Sequence, residues 1–346
     1  MLLYLALGVA AVGALPPSEP SAPAIARAAG LIRERQLEDG AIVMGPPGQG
    51  APYRLVPYFS NIAAIGLVDA GRVTRDPALF AAARRWAVWY ERHMNPDGTV
   101  NDYSGAPGAW KSTGDYDSTD SYAGTYLELL DALRSAAPER DWLRARAASI
   151  RQAVAAIHLT LQPNGLTLAK PTYPVMYTMD NSETARGLRA GARVARASGQ
   201  AALARECDAL AARMEQAVAT ELWDAESRCY LVGLQPDGYR HRGFTKWYPD
   251  VMASLMAVAW LPRSERNVEL LARMLAKWGG GLPREVKAEA DVGVLVWWGV
   301  AARGAGDRAL LRRVRAALEG FDAHVAAFGN PADLGMVASV LAPVRR

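Results

Sequence analysis

The sequence predicts an all-α fold, a toroid of six helical hairpins in which twelve helices form an inner and an outer ring, written (α/α)6. Two observations carry this prediction. Val, Ile and Thr never alternate with polar residues over a long run, whereas Ala, Leu and Arg recur at helical spacing. The helical segments also alternate between amphipathic and uncharged ones, as expected when every second helix has one face in water and the others are surrounded by protein.

The twelve segments follow one another along almost the whole chain. They lie near residues 22–36, 58–71, 76–94, 117–134, 139–160, 181–198, 200–223, 249–261, 264–278, 289–303, 307–320 and 331–344. Odd-numbered segments, such as ERDWLRARAASIRQAVAAIH, carry a charged stripe and are assigned to the outer ring. Even-numbered segments, such as VMASLMAVAW and VGVLVWWGVAA, are assigned to the inner ring. The sixth segment is an exception, because Arg186, Arg189, Arg193 and Arg196 either line a polar channel or mark an error of register.

Turn dipeptides recur between the segments at the spacing of helical hairpins. Asp-Gly or Asn-Gly pairs start at residues 39, 97, 164 and 237, each after an outer segment. A long connection follows each of the four turns, and the six inner segments open with VPYFSN, GDYDSTD, YTMDNSE, KWYPD, KAEAD and GNPAD. Because long connections in a compact helical protein usually carry function, we expect the functional site at the mouth, the end of the toroid where the inner helices begin.

Composition excludes several classes of protein. The chain has 346 residues, 51% of them hydrophobic, a length that fits two domains or one large toroid, and we assign residues 16–346 to a single domain. The net charge is only +4 and no run of five Lys or Arg occurs, so no nucleic-acid partner is indicated. Cys207 and Cys229 exclude a disulfide scaffold, and helix length keeps them too far apart to pair, which predicts two free thiols. The sequence does not indicate an oligomeric state.

The N-terminal segment has the pattern of a signal peptide. Residues 2–14, LLYLALGVAAVGA, are apolar, too short to span a bilayer, and followed by Pro16 and Pro17. We therefore predict a signal peptide over residues 1–15 and a secreted or periplasmic protein without a stable membrane span after processing. The alternative is a hydrophobic N-terminal extension, because no positive charge precedes the apolar run.

The helix count, the alternation of inner and outer segments and the acidic openings of the inner segments resemble the six-hairpin glycosidase superfamily of (α/α)6 toroids. The resemblance covers about residues 22–344. It implies a catalytic domain that binds a carbohydrate at the mouth and uses two carboxylates there as acid and base. A WGRGNGW-type motif, as in unsaturated rhamnogalacturonyl hydrolases, is absent, so we assign no family within the superfamily.

Carboxylates are dense at the predicted mouth. Equivalent positions near the first turns of the inner segments hold Asn61, Asp120, Glu183, Asp250, Asp291 and Asp333. Neighbouring carboxylates raise one another's proton affinity, and glycosidic cleavage needs one protonated and one ionised carboxyl group. We predict Asp120 and Asp250 as the catalytic pair, with Glu183 as the third candidate.

Asp117 and Asp180 have an alternative role in the sequence. Asp117-Ser-Thr-Asp120 and Asp180-Asn-Ser-Glu183 both have capping-box-like spacing, so we predict that Asp117 and Asp180 cap their helices. Asp115, Asp117 and Asp120 could bind a cation together, but this stretch lacks the Gly and terminal Glu of an EF-hand loop. We therefore predict neither a metal nor a cofactor.

Aromatic and basic residues are concentrated in the same connections. The predicted substrate-binding residues are Tyr53, Tyr58, Trp110, Tyr116, Asp117, Tyr177, Asp180, His241, Lys246, Trp247 and Tyr248. Trp297 and Trp298 lie within an uncharged segment and are predicted to fill the core. Basic residues in the mouth connections suggest an anionic glycan: Arg54, Lys111, Lys170, Arg240, His241, Arg242, Lys246, Arg284 and Lys287.

The leading hypothesis is an exported glycoside hydrolase that cleaves a poly- or oligosaccharide, with inversion if Asp120 and Asp250 lie on opposite sides of the mouth. One alternative is a polysaccharide lyase on the same fold, with Tyr248 and His241 near the reacting proton. Another is a non-catalytic glycan-binding toroid whose acidic residues serve only as caps. The absence of GxSxG argues against a serine hydrolase.

Overall fold

The computed structural model describes residues 22–48, 50–320 and 330–343, and most of this part is helical. The outer helices are α1 (Ala22–Glu34), α3 (Pro77–Arg92), α6 (Ala147–Thr160), α8 (Ala201–Glu221), α10 (Glu265–Trp278) and α12 (Arg308–Glu319). The inner helices are α2 (Pro57–Thr74), α4 (Thr119–Ala136), α7 (Thr178–Ala197), α9 (Met252–Trp260), α11 (Glu289–Ala305) and α13 (Pro331–Leu341). The all-α prediction is confirmed, and the fifth predicted segment is divided into α6 and a short α5 (Arg140–Arg144). The predicted signal peptide lies outside the described residues.

The six inner helices form a closed ring. Each packs against the next in chain order, and α13 returns to pack against α2. Glycines permit the closest approaches. A Cβ atom on Gly66 of α2 would lie 2.3 Å from the Cα atom of Gly335 in α13, and one on Gly187 of α7 would lie 2.4 Å from the Cα atom of Gly124 in α4. Gly66, Gly335 and Gly187 therefore have no room for a side chain, whereas a Cβ atom on Gly124 would meet its nearest neighbour at 3.3 Å.

The arginines of α7 do not disturb its place in the inner ring, because carboxylates on neighbouring helices bind them. Arg189 pairs with Glu215 of α8 at 2.7 Å, and Arg193 pairs with Asp131 of α4 at 2.8 Å. Arg186 binds Glu128 of α4 at 2.9 Å. The predicted register is therefore retained, and the charged stripe of α7 is used to fasten it to α4 and α8.

Short strands in the connections brace the mouth. One sheet has the order β1 (Tyr53–Leu55), β2 (Tyr103–Gly105) and β3 (Lys111–Ser112), and a second has the order β4 (Met176–Tyr177), β7 (Gly233–Leu234) and β8 (Arg240–His241). β5 (Trp223–Asp224) pairs with β6 (Cys229–Tyr230). Strands of two or three residues are too short to give an alternating pattern, which is why the sequence does not predict them.

Three further features complete the described part. A π-helical turn, Trp247–Val251, leads into α9, and a 3-10 turn, Gly279–Gly281, follows α10. Cys207 and Cys229 are buried free thiols, as predicted. Within the described ranges, no helix combines the length and apolar character needed to cross a membrane.

Candidate functional site

A cavity of about 720 Å³ opens at the mouth, where α2, α4, α7, α9 and α11 begin. Its polar lining residues are Tyr58, Asp102, Asp117, Ser118, Ser121, Tyr122 and Asp180. The rest of the lining consists of Val56, Phe59, Met179, Trp247, Tyr248, Met252, Met256, Ala290, Gly293, Val294 and Trp297. We call this space the mouth cavity. Its volume lies within the range of about 300–1,000 Å³ that is typical of small-molecule sites.

Asp180 faces the mouth cavity because α7 begins earlier than its sequence suggests. The backbone N–H of Thr178 donates to the Val232 carbonyl at 3.0 Å, and its hydroxyl donates to the Leu231 carbonyl at 2.6 Å. These contacts fix the start of α7 two residues before Asp180. No other described residue donates a hydrogen bond to the Asp180 carboxyl group, so the predicted capping role is not observed.

The surroundings of Asp180 favour its protonated form. Burial raises its pKa well above the usual value for Asp, and the charges of Asp120, Asp117 and Glu183 raise it further. Desolvation and nearby negative charge both oppose ionisation of a carboxyl group. Asp180 is therefore suited to hold a proton that it can donate to a molecule in the cavity.

Asp117 is an exposed carboxylate directly before α4. Ser118 is the N-cap of that helix, and its hydroxyl accepts a hydrogen bond from the Ser121 N–H at 3.3 Å. Among the described residues, none donates a hydrogen bond to the Asp117 side chain. The predicted cap is therefore one residue away, which leaves Asp117 open to the cavity.

Asp102 is a third carboxyl group in the lining, and the sequence analysis missed it. The Tyr122 hydroxyl donates to Asp102 Oδ1 at 2.8 Å, and the Tyr122 ring stacks on Tyr58 with centroids 5.9 Å apart. Burial raises the pKa of Asp102 against the opposing effect of this hydrogen bond. The signal that could have found it is its place in the connection after the Asp97-Gly98 turn, beside Tyr103.

Asp120, the first predicted catalytic residue, does not line the mouth cavity. Its side chain is fully buried, and Oδ1 accepts hydrogen bonds from Ser118 Oγ at 3.0 Å and the Ser121 N–H at 2.9 Å. Oδ2 lies 2.5 Å from Thr167 Oγ1. Burial raises the pKa of Asp120 to about 6 despite these contacts. This arrangement fits a residue that holds the start of α4.

Asp250, the second predicted catalytic residue, also does not line the mouth cavity, and its carboxyl group accepts hydrogen bonds from its own loop. Its Oδ2 accepts hydrogen bonds from the backbone N–H groups of Thr245 at 2.8 Å and Lys246 at 3.1 Å. A Cβ atom on Gly243 would lie 2.5 Å from this carboxyl group, so glycine is needed there. Asp250 thus fastens the loop that presents Trp247 and Tyr248 to the cavity.

Glu183, the third candidate, lines a second cavity and does not line the mouth cavity. The second cavity, of about 310 Å³, includes Glu128, Glu183 and Arg186 in its lining. The Tyr58 hydroxyl donates to Glu183 Oε1 at 3.2 Å, and burial, with the charge of Glu128, raises the pKa of Glu183 well above its usual value. Trp297 packs against the hydrophobic core and also lines both cavities, whereas Trp298 is buried in the core as predicted.

The predicted substrate-binding residues divide into two groups. Tyr58, Asp117, Asp180, Trp247 and Tyr248 line the mouth cavity, whereas Tyr53, Trp110, Tyr116, Tyr177, His241 and Lys246 lie outside its lining. Several residues of the second group have partners elsewhere. Trp110 Nε1 donates to Asp39 Oδ2 at 2.6 Å, Tyr177 and Tyr173 bring their hydroxyl oxygens within 3.2 Å, and His241 Nε2 lies 2.9 Å from Gln235 Nε2.

The basic residues of the connections do not converge on the mouth cavity. Lys170 pairs with Asp115 at 2.8 Å, Lys287 with Glu285 at 2.8 Å, and Arg242 with Glu226 at 3.2 Å. Of the described residues that line the cavity, none is Lys or Arg. No group of three or more His, Cys, Asp or Glu side chains within the described ranges is arranged to hold a metal ion.

No protein-family model matches the chain, and no curated protein matches its sequence. Solved structures do match. An uncharacterized conserved protein from Thermus thermophilus is 15% identical and has a TM-score of 0.67, with 92% of this chain and 99% of that chain covered. A GH63 mannosylglycerate hydrolase from the same organism, in complex with glucose, is 14% identical with a TM-score of 0.67 and the same coverage.

A rhamnosidase from Klebsiella oxytoca with rhamnose bound also matches. It is 16% identical and has a TM-score of 0.59, with 85% of this chain and 53% of that chain covered. Identities at this level establish the fold. The predicted (α/α)6 toroid of six helical hairpins is therefore confirmed as the architecture of this chain.

Proposed function

We propose that the protein is a glycoside hydrolase that uses the mouth cavity as its active site, with Asp180 as general acid and Asp117 as general base. One observation carries the proposal: two carboxyl groups without competing side-chain hydrogen bonds face one cavity from unequal environments. Pairs of titratable groups whose surroundings differ in this way supply the acid and the base of many hydrolases.

In the proposed reaction, Asp180 donates its proton to the glycosidic oxygen as the bond from this oxygen to the anomeric carbon breaks. Asp117 removes a proton from a water molecule, whose oxygen forms the new bond to the same carbon. The leaving group departs as an alcohol, the sugar gains a hydroxyl group, and the configuration inverts. The exposure of Asp117 supports its role as base, because that role requires access to water.

Asp120 and Asp250 support this pair indirectly. Asp120 holds the start of α4, next to Asp117, and Asp250 holds the loop that carries Trp247 and Tyr248. Both carboxyl groups are already held by hydrogen bonds from their own loops, at Asp120 Oδ1 and at Asp250 Oδ2, and neither residue lines the mouth cavity. We therefore propose them as positioning residues.

The composition of the cavity favours hydrolysis of an uncharged glycoside over elimination from an acidic one. A lyase needs a base next to a uronate and cations that hold its carboxylate. Tyr248 is 67% exposed, and partial desolvation with the charges of Asp117 and Asp180 raises its pKa, which lowers the population of the tyrosinate that would act as the base. The described lining also offers no Lys or Arg to bind a uronate.

We also propose that the protein acts outside the cytoplasm, on the basis of the apolar run LLYLALGVAAVGA. Expression of the full chain with fractionation of cells and N-terminal sequencing of the product tests this point. A processed N-terminus in the periplasm or medium would support export, and an intact N-terminus in the cytoplasm would contradict it.

The central experiment is a panel of neutral and acidic glycosides, followed by proton NMR for the released anomer and by ultraviolet absorbance for unsaturated products. We expect a reducing sugar of inverted configuration without absorbance. Asp180→Asn and Asp117→Asn should abolish its release, and Asp115→Asn should leave release intact. A product that absorbs in the ultraviolet would indicate a lyase. The absence of any product across the panel would favour a non-catalytic glycan-binding protein.

A further inference from the structure

The mouth cavity has two chemically different walls. The starts of α2, α4 and α7, with the connection that holds Asp102, contribute all of its carboxyl groups and most of its hydroxyl groups, including those of Asp117, Asp180 and Tyr122. The π-helical turn, α9 and α11 contribute Trp247, Tyr248, Met252, Met256, Ala290, Gly293, Val294 and Trp297. We call the second set the apolar wall. Of its side chains in the lining, only Trp247, Tyr248 and Trp297 carry a nitrogen or an oxygen.

The apolar wall continues into a hydrophobic cluster of its own. Met179, Met252, Ala253 and Met256 are buried together, with Trp247, Trp260 and Trp297 packed against them. The edge of this cluster forms the cavity surface. Methionine side chains adapt their shape to a ligand and make favourable sulfur contacts with aromatic rings. The wall is therefore suited to a flat apolar group.

A second sugar ring would fit this wall poorly. A sugar can stack one face on Trp247, but its hydroxyl groups then point sideways and need hydrogen-bond partners. Here the neighbours of the tryptophans are Met252, Met256 and Val294, which offer none of useful strength. Apart from the Trp247 and Trp297 indole N–H groups and the Tyr248 hydroxyl, the described wall offers no side-chain partner to replace the bonds to water that these hydroxyl groups would lose.

We infer that the substrate is a glycoside with an aromatic, apolar aglycone, whose sugar lies at the carboxylate wall and whose aglycone lies on the apolar wall. The inference rests on the proposed function and names its substrate class. Water is the only co-reactant: the bond between the anomeric carbon and the glycosidic oxygen breaks, the aglycone leaves with that oxygen as its hydroxyl group, and the sugar takes the hydroxyl of water.

The test compares three substrates of one sugar, chosen from the panel: a 2-phenylethyl glycoside, a 2-hydroxyethyl glycoside and a disaccharide. All three release aliphatic alcohols, so their leaving groups have similar acidity and the comparison reports binding. We expect the 2-phenylethyl glycoside to have a KM at least about tenfold lower than the 2-hydroxyethyl glycoside, from burial of its ring. Equal KM values, or a preference for the disaccharide, would overturn the inference.

Substitutions in the two cavities test whether the apolar wall causes the lower KM for the 2-phenylethyl glycoside. Met252→Gln and Met256→Gln should remove most of the 2-phenylethyl advantage, and Met336→Gln, in the wall of the second cavity, should preserve it. Should the glutamines impair folding, Val294→Thr repeats the test with a change of nearly the same shape at a half-buried position. An advantage that survives every substitution in the apolar wall would contradict the assignment.

A binding measurement separates this inference from the proposed function. A 2-phenylethyl 1-thioglycoside, which resists hydrolysis, is titrated into the wild type by calorimetry at several temperatures. Binding with a negative heat-capacity change, absent for the 2-hydroxyethyl analogue, would support the aglycone site because such a change reports apolar burial. If the thioglycoside binds but no glycoside is hydrolysed, the aglycone site is retained and the proposed hydrolase activity is overturned. If a glycoside is hydrolysed but the thioglycoside does not bind, the hydrolase activity is retained and the aglycone site is overturned.

Discussion

The starts of α4 and α7 look alike in sequence and differ in structure. Each has two acidic residues three apart, Asp117 with Asp120 and Asp180 with Glu183. Helix α4 begins after the first acidic residue, at Thr119, whereas α7 begins before it, at Thr178. The first acidic residue of each motif faces the mouth cavity, and the second is buried among hydrogen-bond partners. Spacing alone therefore does not identify a catalytic carboxylate.

The partners of the buried carboxyl groups explain the difference. Thr167 Oγ1 lies within reach of both Asp120 Oδ2 and Asn181 Oδ1, at 2.5 and 3.0 Å. One hydroxyl proton cannot serve two acceptors, so a protonated Asp120 can donate to Thr167 while Thr167 donates to Asn181. Asp180 has no comparable network and remains available to a ligand. We therefore expect replacement of a carboxyl group that faces the cavity to lower activity, and replacement of the buried Asp120 to lower stability.

The largest effect is expected for Asp117→Asn. Loss of the general base should lower kcat by about 10²–10⁴-fold, while the free energy of unfolding stays near that of the wild type because the Asp117 side chain holds no protein partner. Steady-state kinetics and thermal melting measure both quantities. The matched control is Asp115→Asn, which breaks the ion pair with Lys170 outside the cavity and should retain activity. Equal losses in both variants would contradict the assignment.

The second prediction concerns stability at Asp120. Asp120→Ala should lower the free energy of unfolding by about 2–4 kcal/mol, since it removes the nearer of the two acceptors of the Ser121 N–H and the contacts of the buried Ser118 and Thr167 hydroxyl groups with this carboxyl group. Asp120→Asn should cost much less, because an amide can accept from Ser121 and donate to Thr167. Urea denaturation at acidic pH measures both. Equal destabilisation by Ala and Asn would contradict a protonated Asp120.

The sign of the pH dependence follows from the same network. The folded-state pKa of Asp120 is raised from 3.8 to about 6, so the folded protein binds this proton more tightly than the unfolded chain. This contribution to the free energy of unfolding is fully present below the pKa that Asp120 has in the unfolded chain. It is lost as pH rises through the pKa that Asp120 has in the folded protein. The Asp120→Asn variant should lack this loss, and an unchanged slope in the variant would argue against the network.

A smaller effect is expected on the pH–rate profile. Because Asp180 must be protonated, kcat/KM should fall as pH rises through its raised pKa. Removing the charge of Asp120 lowers the pKa of Asp180, so Asp120→Asn should move this alkaline limb to lower pH. Asp141→Asn, on the surface with Arg144, is the control. An alkaline limb that does not move would show that Asp120 and Asp180 are not coupled.

The toroid could be predicted from the sequence, whereas the site could be predicted only in part. Uncharged segments such as VMASLMAVAW identify inner helices because only a helix surrounded by protein can be apolar on all sides. The start of α7 could not be read locally, since the contacts of Thr178 with Leu231 and Val232 come from a distant part of the chain. The cavity lining at Asp102 and Trp297 likewise depends on how a connection and a helix from distant parts of the chain meet.

The most direct test of the account compares kcat/KM of Asp180→Asn and Asp120→Asn on one glycoside with an aliphatic leaving group. The account predicts a loss of about 10²–10⁴-fold for Asp180→Asn, because the departing oxygen then receives no proton, and a loss below about tenfold for Asp120→Asn. The reverse order, with Asp120→Asn inactive and Asp180→Asn active, would contradict the central claim.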